Sequence, residues 1–280
     1  MKGEIKMEIS CLPVSYFSDI TENRMSVGDW AGIAKSVGLS NIDLSCMFIK
    51  NHTPVYLRQL KESVEKQDMK IKMITTYPDY AHPCKMQRDR ELAYLYSDIA
   101  VASYLGVPYI RITAGQEHDD ISIADGIKNV VEYFKYSVDY AQKMGVTLVY
   151  ENHAKPGAWD RVDFSYATEV FLEIFEKTAD VGLLVNFDTA NPVAFKDENE
   201  PMKILPQVIK RLGTVHIADS STKGVLNHTT IGTGLVKFDE IFAYLKANGY
   251  DGLLSIEEGS NTGKEGVKTA VDFVKEMWCK

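Results

Sequence analysis

The sequence predicts an α/β fold, one (β/α)8 barrel over residues 1–280, on three observations. Eight short apolar runs alternate with eight segments of helical period along the chain. The runs are continuous Val, Ile and Leu rather than strictly alternating, as in parallel strands buried on both faces. No G-x-G-x-x-G turn follows the first run, so an open doubly wound sheet lacks its usual signature. Eight βα units are the number that closes a barrel, and 280 residues suit a barrel built as a single domain. There is no interdomain linker, low-complexity tract or charge run.

Each element has a local reason. The first strand is expected at 5–12. A helix over 26–37 follows, with Trp30, Ile33 and Ala34 on one face and Gly38 marking its end. A second strand, 41–46, leads to Thr53-Pro54, an N-cap followed by proline at the first helical position, with Leu57, Leu60 and Val64 as the apolar stripe. The third strand, 70–76, runs into the breaker-rich loop YPDYAHP (77–83). A long helix, 88–105, closes at Gly106, strand four covers 109–114, and a helix over 123–144 closes at Gly145. Strand five is TLVYENH (147–153), and the loop KPGAWDRVD (155–163) connects it to a helix over 165–177. Strand six is 181–188, a helix spans 201–211, and strand seven is 212–218. The excursion DSSTKGVLNHTTIGTG (219–234) precedes a helix over 238–248. Strand eight is 252–257, and the last helix has Thr262 as cap and Val267, Val271 and Val274 as its stripe.

With 45% hydrophobic and 25% charged residues the composition is that of an ordinary globular protein. A formal net charge of −8 argues against a nucleic-acid partner, because phosphate binding draws on a basic face. Four cysteines without C-x-x-C spacing read as reduced thiols, and a cytoplasmic location is expected. The opening MKGEIKMEIS has no apolar core of a signal peptide, and no run approaches the ~18 apolar residues of a membrane span.

Strands five to eight carry Glu151, Asp188, His216 and Glu257 at their C-terminal ends, the end at which barrel active sites lie. Neighbouring strands lie ~4.8 Å apart, so side chains from adjacent ends can converge. Three carboxylates placed together repel, and a divalent cation resolves the conflict while the imidazole adds a nitrogen donor. One ion is expected, manganese first, with magnesium, cobalt or zinc as alternatives. Taken alone, each carboxylate reads more readily as a cap or a solvated loop group, and His216 as a hydrogen-bonded core histidine. Their repetition at equivalent positions of four consecutive units is what points to a site.

At YENH (150–153), NFDTAN (186–191), HIAD (216–219), IGTG (231–234) and SIE (255–257) the chain resembles the xylose isomerase-like TIM-barrel superfamily. That group includes sugar phosphate isomerases, ketose 3-epimerases, inosose dehydratases and endonuclease IV type DNA-repair enzymes. The resemblance spans nearly the whole chain. It implies a Glu-Asp-His-Glu metal set on Glu151, Asp188, His216 and Glu257. Four departures matter. The resemblance implies a histidine three residues after the metal Asp, where this chain has Asn191, and the endonucleases' further Asp falls on Leu226, although His228 matches one of their histidines. A trinuclear zinc site and DNA repair are therefore not expected. The arginine and second acid that ketose 3-epimerases carry fall on Thr222 and Gly157.

The expected activity is that of a metal-dependent isomerase or epimerase of a sugar, keto-sugar or sugar phosphate, removing a proton next to a carbonyl through an enediolate. Glu151 and Glu257 are the candidate bases. His153 shares the orientation of Glu151 by the strand period of two and is either an acid/base or a helix cap. Arg111, Lys155, Trp159, Asp219 and His228 are candidate substrate contacts. Arg111 could equally neutralise the acidic mouth, Asp219 could cap a turn, and Lys155 and Trp159 could face solvent. A lyase acting on keto-sugars or cyclitols, including C-glycoside cleavage with a small partner subunit, is the alternative. A non-catalytic barrel is a third reading, and a homo-oligomer is an open expectation.

Overall fold

In a computed structural model, which describes residues 7–155, 157 and 159–280, eight strands form one sheet. They are β1 (Glu8–Leu12), β2 (Asn41–Ser45), β3 (Lys70–Thr75), β4 (Tyr109–Ile112), β5 (Thr147–Glu151), β6 (Leu184–Asp188), β7 (Leu212–Ile217) and β8 (Leu253–Glu257). The helices are α1 (Phe17–Thr21), α2 (Val27–Ser36), α3 (Pro54–Glu65), α4 (Lys85–Leu105), α5 (Ile123–Lys143), α6 (Thr168–Lys177), α7 (Asn191–Phe195), α8 (Pro201–Val208), α9 (Phe238–Ala247) and α10 (Lys264–Cys279). The sheet runs β1-β8-β7-β6-β5-β4-β3-β2, every pair parallel. Side chains bring β1 and β2 together: Asn41 Nδ2 donates to the Ile9 carbonyl (3.0 Å), and the Ser10 hydroxyl donates to Asp43. The (β/α)8 barrel expected from the sequence is the fold.

Several boundaries move. Residue 5, the expected start of the first strand, lies outside the described residues, and β1 is assigned from Glu8. The run 181–183 is a 3-10 turn and a loop rather than strand, because Gly182 takes a left-handed φ of 68°. Helix α4 begins at Lys85, three residues early, and α6 at Thr168, three residues late. Two short helices, α1 and α7, follow β1 and β6 without having been anticipated.

The capping residues explain some ends and correct others. Ser26 and Asp29 form a reciprocal capping box at α2, which ends before Gly38 at φ 85°. Thr53 occupies the N-cap position of α3, but its hydroxyl donates to Asn51 Oδ1 (2.7 Å) and caps nothing. Thr262 is not the cap of α10; Gly263 takes that position at φ 64°. Trp30 and Ala34 are fully buried while Ile33 is half-buried; the stripes of Leu57, Leu60 and Val64 and of Val267, Val271 and Val274 are buried. No described helix is long and apolar enough to cross a membrane.

Inside the barrel the period of two sorts the side chains into layers. Met73, Val149 and Leu253 pack together with Tyr109 and Leu184 as an apolar floor. Two residues further along β5 and four along β8 come Glu151 and Glu257. The layer between is polar: Asn186, Thr214, Ser255, Asp43 and Ser10 are all buried, where branched aliphatic residues usually fill such barrels. Thr214 Oγ1 donates to Asn186 Oδ1 (2.7 Å), and Ser255 Oγ donates to Asp43 Oδ2 (2.6 Å). Burial pushes the Asp43 carboxyl up to about 6, against the pull of the two serine hydroxyls.

Candidate metal centre

Register places the strand-end residues side by side. Glu151 pairs with Asn186, Asp188 with His216, and His216 with Ser255, two residues before Glu257. The ligand atoms of Glu151, His216 and Glu257 lie within 4.8 Å of one another. His216 Nδ1 is 2.6 Å from Glu151 Oε1 and 3.0 Å from Glu257 Oε1. Neither contact has hydrogen-bond geometry: both ring nitrogens of His216 are buried without a hydrogen-bond partner among the described residues, as is Glu151 Oε2. Buried polar atoms left in this state are costly unless something else engages them. Two carboxylates and one imidazole converging with unused lone pairs fit a divalent cation, which would bind all three.

The charges around the cluster are balanced from one side. Arg111, on β4 and 1% exposed, lies with Nε 3.2 Å from Glu151 Oε2 and donates through Nη1 to the Thr76 carbonyl (3.0 Å). Its guanidinium carbon stands 4.6 Å above the Tyr77 ring. Although burial pushes the Glu151 carboxyl up, Arg111 and His216 together hold it well below the usual range. Asn186 Nδ2 donates to Glu151 Oε1 (2.6 Å), so the carboxylate is oriented from the polar layer beneath it.

Asp188 stands apart from the group of three. Its Oδ1 accepts from the backbone N–H of Ala190 (2.8 Å) and Asn191 (2.6 Å) at the start of α7. Its Oδ2 makes no hydrogen bond among the described residues. Burial pushes its carboxyl well up, and Glu151 and Glu257 add to the shift. Asn152 locks the ends of β5 and β6: its Nδ2 donates to the Asp188 carbonyl (2.9 Å), and its Oδ1 accepts from the Asp188 N–H (2.9 Å).

His153 lies between two carboxylates without touching either. Nε2 is 3.8 Å from Glu151 Oε2, and Nδ1 is 4.0 Å from Asp163 Oδ2. Burial pushes its pKa down to about 4, so the ring is neutral near pH 7. Asp163 reaches this position because the loop after β5 folds back, with Asp163 N–H donating to the Ala154 carbonyl (2.7 Å) and Phe164 N–H to Gly115 (2.7 Å). Asp163 Oδ1 accepts from the Ser165 backbone N–H (2.7 Å) and hydroxyl (2.6 Å), while buried Oδ2 has no partner among the described residues.

Burial pushes the Asp163 carboxyl up to about 8. A carboxyl raised on folding contributes stability that is full below its unfolded pKa, near 4, and lost as pH rises toward the folded value. Asp163→Asn keeps the acceptor for Ser165 and never ionises. In urea unfolding at roughly pH 9 the variant is expected to exceed the parent by about 1–3 kcal/mol, with the advantage vanishing near pH 4. A variant less stable than the parent at the higher pH would show that the ionised carboxylate is paired there.

A cavity of about 520 Å³ opens above the cluster, reaching Arg111, His153, Lys155, His228 and Glu257 among the expected residues. Two further expected contacts are elsewhere. Asp219 accepts backbone N–H groups from Ser220 (2.9 Å), Gly232 (3.0 Å), Gly234 (2.8 Å) and Val236 (3.2 Å), so its oxygens hold the IGTG loop and are not offered to the cavity. Trp159 lies behind His153, with ring centroids 6.4 Å apart, and lines a separate hollow with Tyr94 and Asp98. Asn186, Asn152 and Asp163 join the site without having been singled out for it, and Tyr77 and Asn191 line the cavity. Reading back two residues from each strand end would have found Asn186, Thr214 and Ser255.

The family model described as xylose isomerase-like TIM barrel matches residues 32–277. No curated protein sequence matches the chain. Among solved structures, a D-psicose 3-epimerase with D-tagatose from Clostridium cellulolyticum H10 superposes with a TM-score of 0.78 at 14% identity, covering 97% of this chain and 99% of that one. The probable 3-DHS dehydratase AsbF of Bacillus anthracis gives 0.76 at 16% identity, covering 96% and 99%. The IOLI protein with a binding zinc atom gives 0.77 at 16% identity, covering 97% and 98%. At these identities the likeness is one of fold, while the family match extends over most of the sequence. The chain belongs to the xylose isomerase-like TIM barrel family.

Proposed function

We infer that the protein is a divalent-metal-dependent isomerase or epimerase of a small carbohydrate, built as one domain over residues 1–280. The observation that carries this reading is the convergence of Glu151, His216 and Glu257 at the C-terminal barrel face with buried, unpartnered ligand atoms. Similar folds belong to an epimerase crystallised with a ketose and to a protein with a bound zinc atom. These residues, with Asp188 Oδ2 as a fourth donor, would hold a divalent ion, which would supply Lewis-acid polarisation of substrate oxygens; manganese would suit the oxygen-rich set. Glu257, at the cavity edge and paired among the described residues with His216 alone, is the carboxylate best placed to take a proton from a carbon beside a carbonyl. Arg111 and Lys155 orient substrate oxygens, and His153 returns or relays the proton.

A lyase is the second reading, and the state of Glu151 favours it. Its oxygens face Arg111, Asn186 and His216, so it is a poor second base for a two-carboxylate proton exchange. Neutral His153, hydrogen-bonded to nothing among the described residues, then serves as the single base of an elimination. Incubation of the manganese-loaded protein with a ketose and cyclitol panel in D2O, followed by NMR, separates the two. Deuterium entering beside the carbonyl of an isomerised ketose is the expected result. An unsaturated product with loss of water would establish the lyase, and no exchange on any member would count against both.

A further inference from the structure

A second hollow, of about 300 Å³, lies outside the metal centre and beside the main cavity, which it meets at Met47 and Tyr77. Its size is at the small end for ligand pockets. One wall is a stripe of α4: Glu91, Tyr94, Leu95 and Asp98 follow the spacing i, i+3, i+4, i+7, which puts them on one helix face. Trp159, from the loop after β5, and Tyr77, from the loop after β3, give the lining three aromatic rings and two carboxylates. The rest of the lining is uncharged, with no lysine or arginine among the described residues.

The two carboxylates are drawn out of water without an internal counter-ion. The Asp98 carboxylate makes no hydrogen bond among the described residues. The basic group beside it is His52, with Nε2 3.9 Å from Oδ1 and Nδ1 engaged with the Ser97 hydroxyl (2.8 Å). Burial pushes the Asp98 carboxyl up to about 7, and the charge of Glu91 adds to the shift. Burial pushes Glu91 up as well, with the Asp79 N–H donating to its Oε2 (3.4 Å). The convergence of ligand atoms that marks the metal centre does not recur here among the described residues. Arg111 already stands over the Tyr77 ring (4.6 Å), which leaves Tyr94, 66% exposed, and Trp159 as the rings open to a ligand. Rings beside carboxylates attract an organic cation twice over, through the ring quadrupole and through the acid's charge.

We propose that this hollow binds an organic ammonium ion, its charged group at Asp98 and Glu91 and its alkyl groups against Tyr94 and Trp159. The site is separate from the metal centre and does not depend on the reaction carried out there. The test is calorimetric titration of choline at about pH 8, with and without saturating manganese. The control ligand is the neutral isostere in which carbon replaces the choline nitrogen. Saturable choline binding is expected with and without the metal, roughly tenfold or more tighter than that of the isostere. Asp98→Asn is expected to weaken choline binding about tenfold and Tyr94→Ala about fivefold. Tyr94 is exposed and asparagine matches aspartate in volume, so both variants are expected to fold, as circular-dichroism melting checks. Equal affinity for choline and its isostere, parent-like affinity in either folded variant, loss of choline binding on adding manganese, or no binding at all would each overturn the proposal. Any of these results leaves the reading of the metal centre standing.

Discussion

Glu151→Gln is expected to abolish turnover and to weaken divalent-metal binding by more than the ~10–100-fold that loss of an outer partner costs. The reason lies in the contacts of one side chain. Glu151 is fully buried at the end of β5 and is the one ligand in contact with Arg111, Asn186 and His216 at once. Glutamine preserves the volume but brings an N–H2 group into a place where Asn186 Nδ2 donates to Oε1 and the Arg111 guanidinium stands 3.2 Å from Oε2. One end of the amide then faces a donor, and the negative charge that would hold the cation is gone. The D2O exchange assay reads the loss of turnover, and calorimetric titration with manganese reads the loss of metal affinity. Metal affinity equal to that of the parent would remove Glu151 from the ligand set.

The second large effect concerns Arg111. Removing one partner of a buried ion pair leaves the other charge uncompensated, and Arg111→Leu is expected to destabilise the metal-free protein by about 3–5 kcal/mol. Arg111 is the cation that faces Glu151 from the opposite side to His216, with Glu257 adding to the negative field. A divalent cation bound between the carboxylates would supply the missing positive charge. Added manganese is therefore expected to recover a larger share of stability in Arg111→Leu than in the parent, measured by denaturant midpoint with and without metal. Equal stabilisation of both proteins would separate the ion pair from the metal site. The same comparison on Glu151→Gln is expected to show little recovery, because there the ligand itself is lost.

The strands and their endings were legible because parallel strands buried on both faces must be continuous apolar runs, and because a polar residue that ends such a run at the mouth has few bland explanations when it recurs. Glu151, His216 and Glu257 are brought together on that logic. Asp188 keeps the strand-end position, but its Oδ1 accepts from the N-terminus of α7, a five-residue helix whose signal in the sequence is only Asn-Pro after a strand. The polar layer of Asn186, Thr214, Ser255 and Asp43 was present in the strand sequences, yet single polar residues within apolar runs carry no signal until the inward face is known. Asp163 and His153 are ten residues apart and meet only because the intervening loop folds back on Ala154 and Gly115. Asp219 belonged to the same HIAD motif as His216, but its partners are amides of the IGTG loop, more than ten residues ahead. Thr262 and Thr53 were plausible caps by type, and in both cases a neighbouring residue determines where the hydroxyl goes.

Metal content, by mass spectrometry on untagged protein purified without chelator and then equilibrated with manganese, tests the central claim most directly. The expected result is about one divalent ion per chain in the parent and close to none in His216→Ala, which loses the nitrogen donor that lies between Glu151 and Glu257. No bound metal in the parent, or the same content in His216→Ala, would contradict the account.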